Sequence, residues 1–156
     1  MSASSTSSPP RIVVGVDASP SSRAALRWAV RYASLTGGTV DAVQARHAEQ
    51  VDAIGGFGQT PAEVDDQDVV ADEARRALDS LVNEEVAPDD RHRVTCRVFN
   101  GHPAESLMNA AADADLLVVG SRGRGGFGGA LLGSVGQYLT HHSPCPVLII
   151  RGKLPA

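Results

Sequence analysis

The glycine-rich stretch GSRGRGGFGGALLGS, residues 120–134, carries the residue types that could bind a phosphate. It holds seven glycines and two arginines in fifteen residues, directly after the apolar run DLLVV. Glycines let an anion approach backbone N–H groups closely. The first hypothesis for this stretch is therefore a phosphate-binding loop at the end of a strand.

Two common phosphate-binding patterns do not explain the stretch. A P-loop requires G-x-x-x-x-G-K-[ST], and the single lysine of the chain, Lys153, lies beyond the last predicted strand. A dinucleotide fingerprint, G-x-G-x-x-G, is present at Gly123, Gly125 and Gly128. It requires an acidic residue about 20 positions downstream for the ribose. The last acidic residue is Asp115, so we interpret this match as accidental.

Five short apolar runs alternate with helical patterns along the chain. This alternation predicts a single-domain α/β fold with an open parallel sheet covered by helices on both faces. Val94, Cys96 and Val98 alternate with polar residues, which places them on one face of the third strand. The strands are predicted over residues 11–16, 39–45, 93–99, 115–120 and 145–151.

The helices have recognisable starts and apolar stripes. Ser19 is a capping residue before Pro20, and Gly37 and Gly38 end the first helix. The third helix has Pro103 in its first turn, and the last helix covers SVGQYLTHH, weakened by its internal glycine. The predicted stripe of the second helix consists of Val70, Ala74, Ala77, Leu78 and Leu81.

The remaining segments are predicted to be tails and a loop. Residues 1–10 are small, polar and proline-ended, so we expect a disordered tail before the folded domain of residues 11–152. Residues 153–156 form a second tail. Residues 46–68 combine glycines and acids without a period, which predicts a mobile loop that could shelter the site.

Composition narrows the class of protein. Of the 156 residues, 42% are hydrophobic, but no apolar run reaches the roughly 20 residues of a membrane span. The net charge of −4 argues against a nucleic-acid partner, although every charge after Asp115 is positive. Two cysteines without C-x-x-C spacing predict a reducing cytoplasm. His141 and His142 are adjacent and the other three histidines are scattered, so no metal-ligand spacing emerges and we expect no metal-binding residues.

The spacing that remains is G-x2-G-x9-G-S, filled by Gly120, Gly123, Gly133 and Ser134. With this pattern the chain resembles the universal stress protein family in its nucleotide-binding subclass. Three further segments support the resemblance: VVGVDAS, in which an aspartate closes the first strand, ADADLLVVGSRGRGG, which leads into the glycine-rich stretch, and SPCPVLIIR at the end of the domain. It extends from about residue 11 to residue 151.

The resemblance implies a sheet in the order 3-2-1-4-5, of the adenine nucleotide alpha hydrolase-like type, with ATP and Mg²⁺ bound where the first and fourth strands diverge. The nucleotide would contact Gly15, Val16, Asp17, Ala45, Val119, Gly120, Arg122, Gly123, Gly133, Ser134 and Val135.

Several roles within this set stay open at the sequence level. Asp17 could accept a hydrogen bond from the adenosine or approach the magnesium ion. Val43 shares a strand face with Ala45, and we prefer Ala45 as the residue lining the adenine. Arg122 could face the ribose and phosphates or remain in solvent. Ser134 and Val135 begin a helix whose free N–H groups and dipole favour an anion.

The last strand predicts a homodimer. Val147, Leu148, Ile149 and Ile150 are too apolar for an open sheet edge. Pairing of residues 146–151 with a second subunit, which the resemblance also implies, would bury them; the chain's own loop could do so instead.

Three functions remain as hypotheses. The favoured one is a non-catalytic ATP-binding module whose occupancy is read by a regulatory partner during stress adaptation. The second is an enzyme that hydrolyses ATP slowly or phosphorylates itself, at Ser134 or another hydroxyl of the glycine-rich stretch. Against it stands the lack of a general base other than Asp17 and of a lysine near the phosphates. The third is a nucleotide-free structural dimer.

Overall fold

The computed structural model describes residues 7–46, 63–122 and 132–152, with side chains described from Val69 onward in the second segment. Strands and helices alternate in these residues. The strands are β1 (Arg11–Gly15), β2 (Thr39–Arg46), β3 (Val94–Asn100), β4 (Leu116–Gly120) and β5 (Val147–Ile150). The helices are α1 (Pro20–Thr36), α2 (Glu63–Glu85), α3 (Pro103–Ala110) and α4 (Ser134–His142), with a 3₁₀ helix at Pro88–Arg93.

The five strands form one parallel sheet in the order β3-β2-β1-β4-β5, which confirms the predicted topology. In this order β1 and β4 are neighbours, with Val14 opposite Val118. The chain leaves β1 toward α1 and leaves β4 toward α4 on opposite faces of the sheet. A cleft is therefore expected where these two strands end.

Two hydrophobic clusters hold the helices against the sheet. On one face, Ile12, Val14 and Val118 are fully buried beneath α1 and α2. On the other face, Val13 and Leu117 are fully buried beneath α3 and α4. The alternation along each strand follows from the period-two geometry of β structure. Val94, Cys96 and Val98 belong to the first cluster, as predicted.

The ends of α1 form as the sequence predicts. The Ser19 side chain accepts a hydrogen bond from the Ser22 N–H, and Pro20 occupies the first turn. Gly37 ends the helix in the left-handed conformation with φ of 73°. A side chain at that φ would be strained, which explains the glycine.

The predicted loop and the stripe of α2 require correction. Arg46 ends β2, and Glu63–Asp68 belongs to α2 instead of the loop predicted over residues 46–68; the remainder of that loop lies outside the described residues. Leu78 and Leu81 are buried as predicted, whereas Val70 and Ala77 are exposed and Ala74 is half-buried. The buried face instead continues through Val82 to Val86, because, of the α2 side chains described from Val69 onward, those at the carboxyl end pack on the sheet cluster.

An ion-pair network ties α1 to the end of α2. Glu85 lies 2.9 Å from Arg23 and 2.5 Å from Arg27, and Arg23 also contacts Glu84 at 3.1 Å. Burial alone would raise the pKa of Glu85, but hydrogen bonds from Arg23 and Arg27 outweigh it and lower the pKa below its ordinary value. The network therefore favours the ionised carboxylate.

The glycine within α4 lies against a side chain. A Cβ atom at Gly136 would lie 2.8 Å from Leu132 Cδ1, the end of a flexible side chain that can turn aside. This contact alone therefore does not require glycine, which lowers the helix propensity of α4 as the sequence predicts. In the described part of the chain, no helix is long and apolar enough to cross a membrane.

Candidate functional site

The turn after β1 presents Asp17 in a fixed orientation. The Val16 N–H donates to the Val43 carbonyl at 2.8 Å, so pairing with β2 continues past the end of β1. Asp17 Oδ1 accepts hydrogen bonds from the Ser19 N–H at 3.0 Å and from Ser19 Oγ. Ala18 between them has φ of 66°, a conformation that costs a non-glycine residue about 1–2 kcal/mol. The neighbouring contacts must hold this strained turn in place.

The start of α1 is hydrogen-bonded to the turn after β4. Ser21 Oγ donates to the Arg122 carbonyl at 2.6 Å and accepts from the Arg122 N–H at 3.3 Å. Ser19 Oγ lies 3.2 Å from the same carbonyl. Both serines are buried, whereas the Arg122 side chain is exposed. These bonds bring the β1 turn and the β4 turn, about a hundred residues apart in sequence, to one place.

Gly120 is a glycine because α1 packs against it. A Cβ atom at Gly120 would lie 2.7 Å from the carbonyl carbon of Ser21 and 2.8 Å from the Ser22 nitrogen. The sequence-based reason, close approach of a phosphate, is therefore not needed to explain this residue. Close approach of two backbones within the protein explains it directly.

The two ends of the glycine-rich stretch meet. The Gly133 N–H donates to the Ser121 carbonyl at 2.8 Å, so the N-terminus of α4 lies beside the carboxyl end of β4. Gly133 caps α4 without a side-chain hydrogen bond. Its φ of −68° and ψ of 164° are open to any residue, so the backbone does not require glycine here. The first N–H groups of α4, at Ser134 and Val135, can donate hydrogen bonds to an anion.

The remaining predicted residues differ in what they can offer a ligand. Val16 and Val119 are buried in the two clusters, so their side chains serve the core. A Cβ atom at Gly15 would lie 3.1 Å from Leu107, again on the core side. These three could therefore reach a ligand only through their backbone. Gly123 lies outside the described residues.

Ala45 is placed more favourably than Val43. Val43 is 1% exposed, whereas Ala45, two positions on along the same face, is half-buried near the end of β2. Ala45 pairs with Phe99 of β3, which is also half-buried. Ala45 is therefore more accessible to an apolar ligand group than Val43, and its contact with the adenine stays a prediction.

The site offers one acidic side chain, Asp17, among its described residues. No three His, Cys, Asp or Glu side chains cluster there or elsewhere in the described ranges. Mg²⁺ is commonly held by one or two carboxylates together with substrate phosphates. A magnesium ion here would therefore need a nucleotide to supply most of its ligands, and Asp17 is the carboxylate among the described site residues that could contact it.

Sequence reasoning missed Ser21 and Ser121. Ser21 is one of three serines around the start of α1, and only its partner Arg122, 101 positions away, distinguishes it. Ser121 contributes through its backbone carbonyl, which no residue type encodes. The only sign of Ser21 in the sequence is that a small hydroxyl residue directly follows the capping Ser19 and Pro20.

Comparison with known proteins places this geometry in a family. The model of the universal stress protein family matches residues 10–151. The chain belongs to the universal stress protein family. A universal stress protein of Mycolicibacterium smegmatis is 32% identical over 147 residues, covering 90% of this chain and 48% of that protein. The chain thus spans about half the length of this relative.

Solved structures agree with the universal stress protein fold. The protein MJ0577 superposes with a TM-score of 0.76 at 21% identity, covering 94% of this chain and 99% of that one. A universal stress protein solved in complex with cAMP gives a TM-score of 0.62 at 26% identity, covering 94% and 100% of the two chains. A third, from Archaeoglobus fulgidus, was solved in complex with dAMP and gives a TM-score of 0.58 at 23% identity, covering 90% and 97%.

Proposed function

We propose that this universal stress protein domain binds ATP, with Mg²⁺, and acts as a nucleotide-dependent regulatory module. The observation that carries the proposal is the hydrogen bond between Gly133 and Ser121, because it joins both halves of the G-x2-G-x9-G-S pattern. It places the α4 N-terminus beside the β4 turn, at the strand divergence where open α/β sheets bind ligands. The cAMP complex of a relative supports an adenine nucleotide as the ligand.

Each part of the site would have a separate role. The N–H groups of Ser134 and Val135 would donate to the phosphates, and the Ser134 hydroxyl would add a further donor. Asp17, held by Ser19, would face the adenosine or the phosphate-bound magnesium. Ala45 would line the adenine. The exposed Arg122 side chain is free to turn toward the ribose and phosphates.

The proposal includes a homodimer through β5. Val147–Ile150 form the edge strand of the sheet, and all four residues are only half-buried. Pairing two such edges would cover apolar surface and form hydrogen bonds with the unpaired backbone groups of each strand.

A reducing cytoplasm is the proposed setting, since Cys96 and Cys145 are both free thiols.

A release experiment tests ligand identity and separates binding from hydrolysis. Purified protein is denatured, and the released small molecules are identified by mass spectrometry. We expect an adenine nucleotide in near-stoichiometric amount. The folded protein is then incubated with Mg-ATP, and the products are measured over time. Unchanged ATP supports a binding module, whereas steady release of ADP supports an enzyme that hydrolyses ATP slowly. Repeated absence of released nucleotide, with no uptake of added Mg-ATP, would contradict the proposal.

A further inference from the structure

We infer that Trp28 and Tyr32, a stacked aromatic pair on α1, form part of a docking surface for a second copy of this chain. The inference rests on the dimer proposed through β5, and it extends that interface from the edge strand to a helix on one face of the sheet. Each subunit would present the same pair to its partner, as a two-fold symmetric contact requires.

The pair is a preformed aromatic surface. The two rings are stacked, with their centroids 5.1 Å apart and an angle of 11° between their planes. Trp28 packs on the cluster beneath α1 and stays half-buried, whereas Tyr32 is 37% exposed. Tryptophan and tyrosine are enriched at protein–protein contacts, and side chains already held by stacking lose little freedom on binding.

The pair lies on the flank of α1 that faces the open edge of the sheet. Trp28 and Tyr32 follow Ser21 by about two and three helical turns, so all three residues share one flank. Ser21 shows the direction of this flank, because it lies against Gly120 at the end of β4 and Gly152 just after β5. The aromatic pair is therefore on the side of α1 where the sheet ends.

The edge strand continues the apolar surface beside this flank. Leu148 and Ile150 of β5 are half-buried and pack on the same cluster as Trp28. No described strand pairs with the outer edge of β5, so its outward N–H and C=O groups lack a strand partner within the described part of the chain. Such an edge accepts another strand. It therefore favours a partner with an edge strand of its own, which a second copy provides.

The spacing of the helices explains why the residues on this flank are large. In an antiparallel pair of β5 strands the two-fold axis is perpendicular to the sheet, so both α1 helices lie on the same face. Each α1 lies over β1 and β4, inside the edge, and strands are about 4.8 Å apart, so the two helix axes would be about 19 Å apart. Helices that pack directly are about 8–10 Å apart. An aromatic pair from each subunit fills the remaining gap.

The emission of Trp28 tests for the partner, because it is the only tryptophan of the chain. Ile149→Asp disrupts the proposed edge from the other face of the sheet, where Ile149 packs on the cluster beneath α3 and α4. The new aspartate would therefore not contact Trp28. We expect the parent to be a dimer by light scattering. The monomeric Ile149→Asp protein should show Trp28 emission at longer wavelength, since water replaces the partner around the ring.

Tyr32→Asp tests the pair without a change in the edge strand. It should raise the dissociation constant of the dimer at least tenfold, because a charge would be buried between the helices. Tyr32→Phe keeps the ring and should stay within about twofold of the parent. Val70→Asp is the matched control, since Val70 is 38% exposed and its helix α2 packs over β3 at the opposite edge of the sheet. Circular dichroism checks that all variants are folded.

The contrary outcomes separate the inference from the proposed dimer. An unchanged dissociation constant for Tyr32→Asp, or an equal loss in Val70→Asp, would overturn the inference and leave the β5 dimer intact. Unchanged Trp28 emission in a monomeric Ile149→Asp protein would do the same. A monomeric parent, or an Ile149→Asp protein that stays dimeric, would contradict the β5 dimer itself, and the inference would fail with it.

Discussion

Gly120 lies so close to Ser21 that a Cβ atom on the glycine would come within 2.7 Å of the Ser21 carbonyl carbon. The carboxyl end of β4 is thus packed directly on the backbone of the first turn of α1. This contact fixes one wall of the site before any ligand is present.

Replacing Gly120 with alanine should therefore destabilise the fold. The atoms that a methyl group would meet are backbone atoms of Ser21 and Ser22, so α1 would have to shift. We expect the free energy of unfolding to fall by about 1–3 kcal/mol, measured by urea denaturation followed by circular dichroism. Gly133→Ala is the control, because φ and ψ at Gly133 suit alanine, and it should cost no more than about 1 kcal/mol. An unchanged midpoint for Gly120→Ala would contradict the close packing.

The network around Glu85 predicts a pH-dependent contribution to stability. Its pKa is lowered in the folded state, so the contribution is present above the ordinary value of about 4.5 and is lost as pH falls through the folded value. Glu85→Gln should therefore melt at a lower temperature than the parent at pH 7, and the two melting temperatures should converge as pH falls through the lowered pKa of Glu85 in the folded protein. Glu84→Gln should have a smaller effect, since the Glu84 side chain is 64% exposed. A difference for Glu85→Gln that is constant from pH 7 to pH 3 would argue against the ion pairs.

The two cysteines should react at different rates. Burial, followed by interaction with Asp79, raises the pKa of Cys96 to about 12, whereas the Cys145 side chain is half-exposed. Since the thiolate is the reactive form, iodoacetamide at pH 8 should modify Cys145 and leave Cys96 intact until urea is added. Peptide mass spectrometry measures both sites. A Cys145→Ser variant should stay unmodified while folded, and rapid modification of its Cys96 would show that β3 opens readily.

The edge strand β5 should mediate dimerisation. Ile149→Asp would place a charge on the half-buried edge, and we expect light scattering to give the single-chain mass of 16.2 kDa instead of twice that value. Leu35→Asp adds the same charge to a residue of α1 that is 77% exposed, and it should remain dimeric. Circular dichroism checks that both variants are folded. A dimeric Ile149→Asp protein, or a monomeric parent, would contradict the β5 interface.

Local chemistry explains which parts of the fold the sequence could predict. Ser19, Pro20 and Gly37 mark the limits of α1 because caps depend on residues adjacent in sequence. The strands follow from apolar runs, and their order came with the family resemblance. The start of α2 at Glu63 was not predicted, because the sequence of its first turns, EVDDQD, is mostly polar and shows no apolar period.

The site could be predicted only in part. Gly133 and Ser134 are predicted as site residues because their spacing is part of a sequence pattern, and that prediction stays open. The bonds from Ser21 to Arg122 and from Gly133 to Ser121 were not, since they depend on how distant segments pack and in one case on backbone atoms alone. The packing of Gly120 on α1 was missed for the same reason, since it involves residues about a hundred positions away; its contact with a ligand stays a prediction.

Titration of the protein with Mg-ATP, compared with Gly133→Val, tests the central claim most directly. The valine keeps an allowed backbone conformation at the cap of α4, and it adds bulk directly before Ser134 and Val135, whose N–H groups are proposed to bind the phosphates. We predict saturable binding of one ATP per chain by the parent. The variant, folded as judged by circular dichroism, should bind at least tenfold more weakly. Equal affinities would place the nucleotide elsewhere, and no binding by the parent would contradict the proposed function.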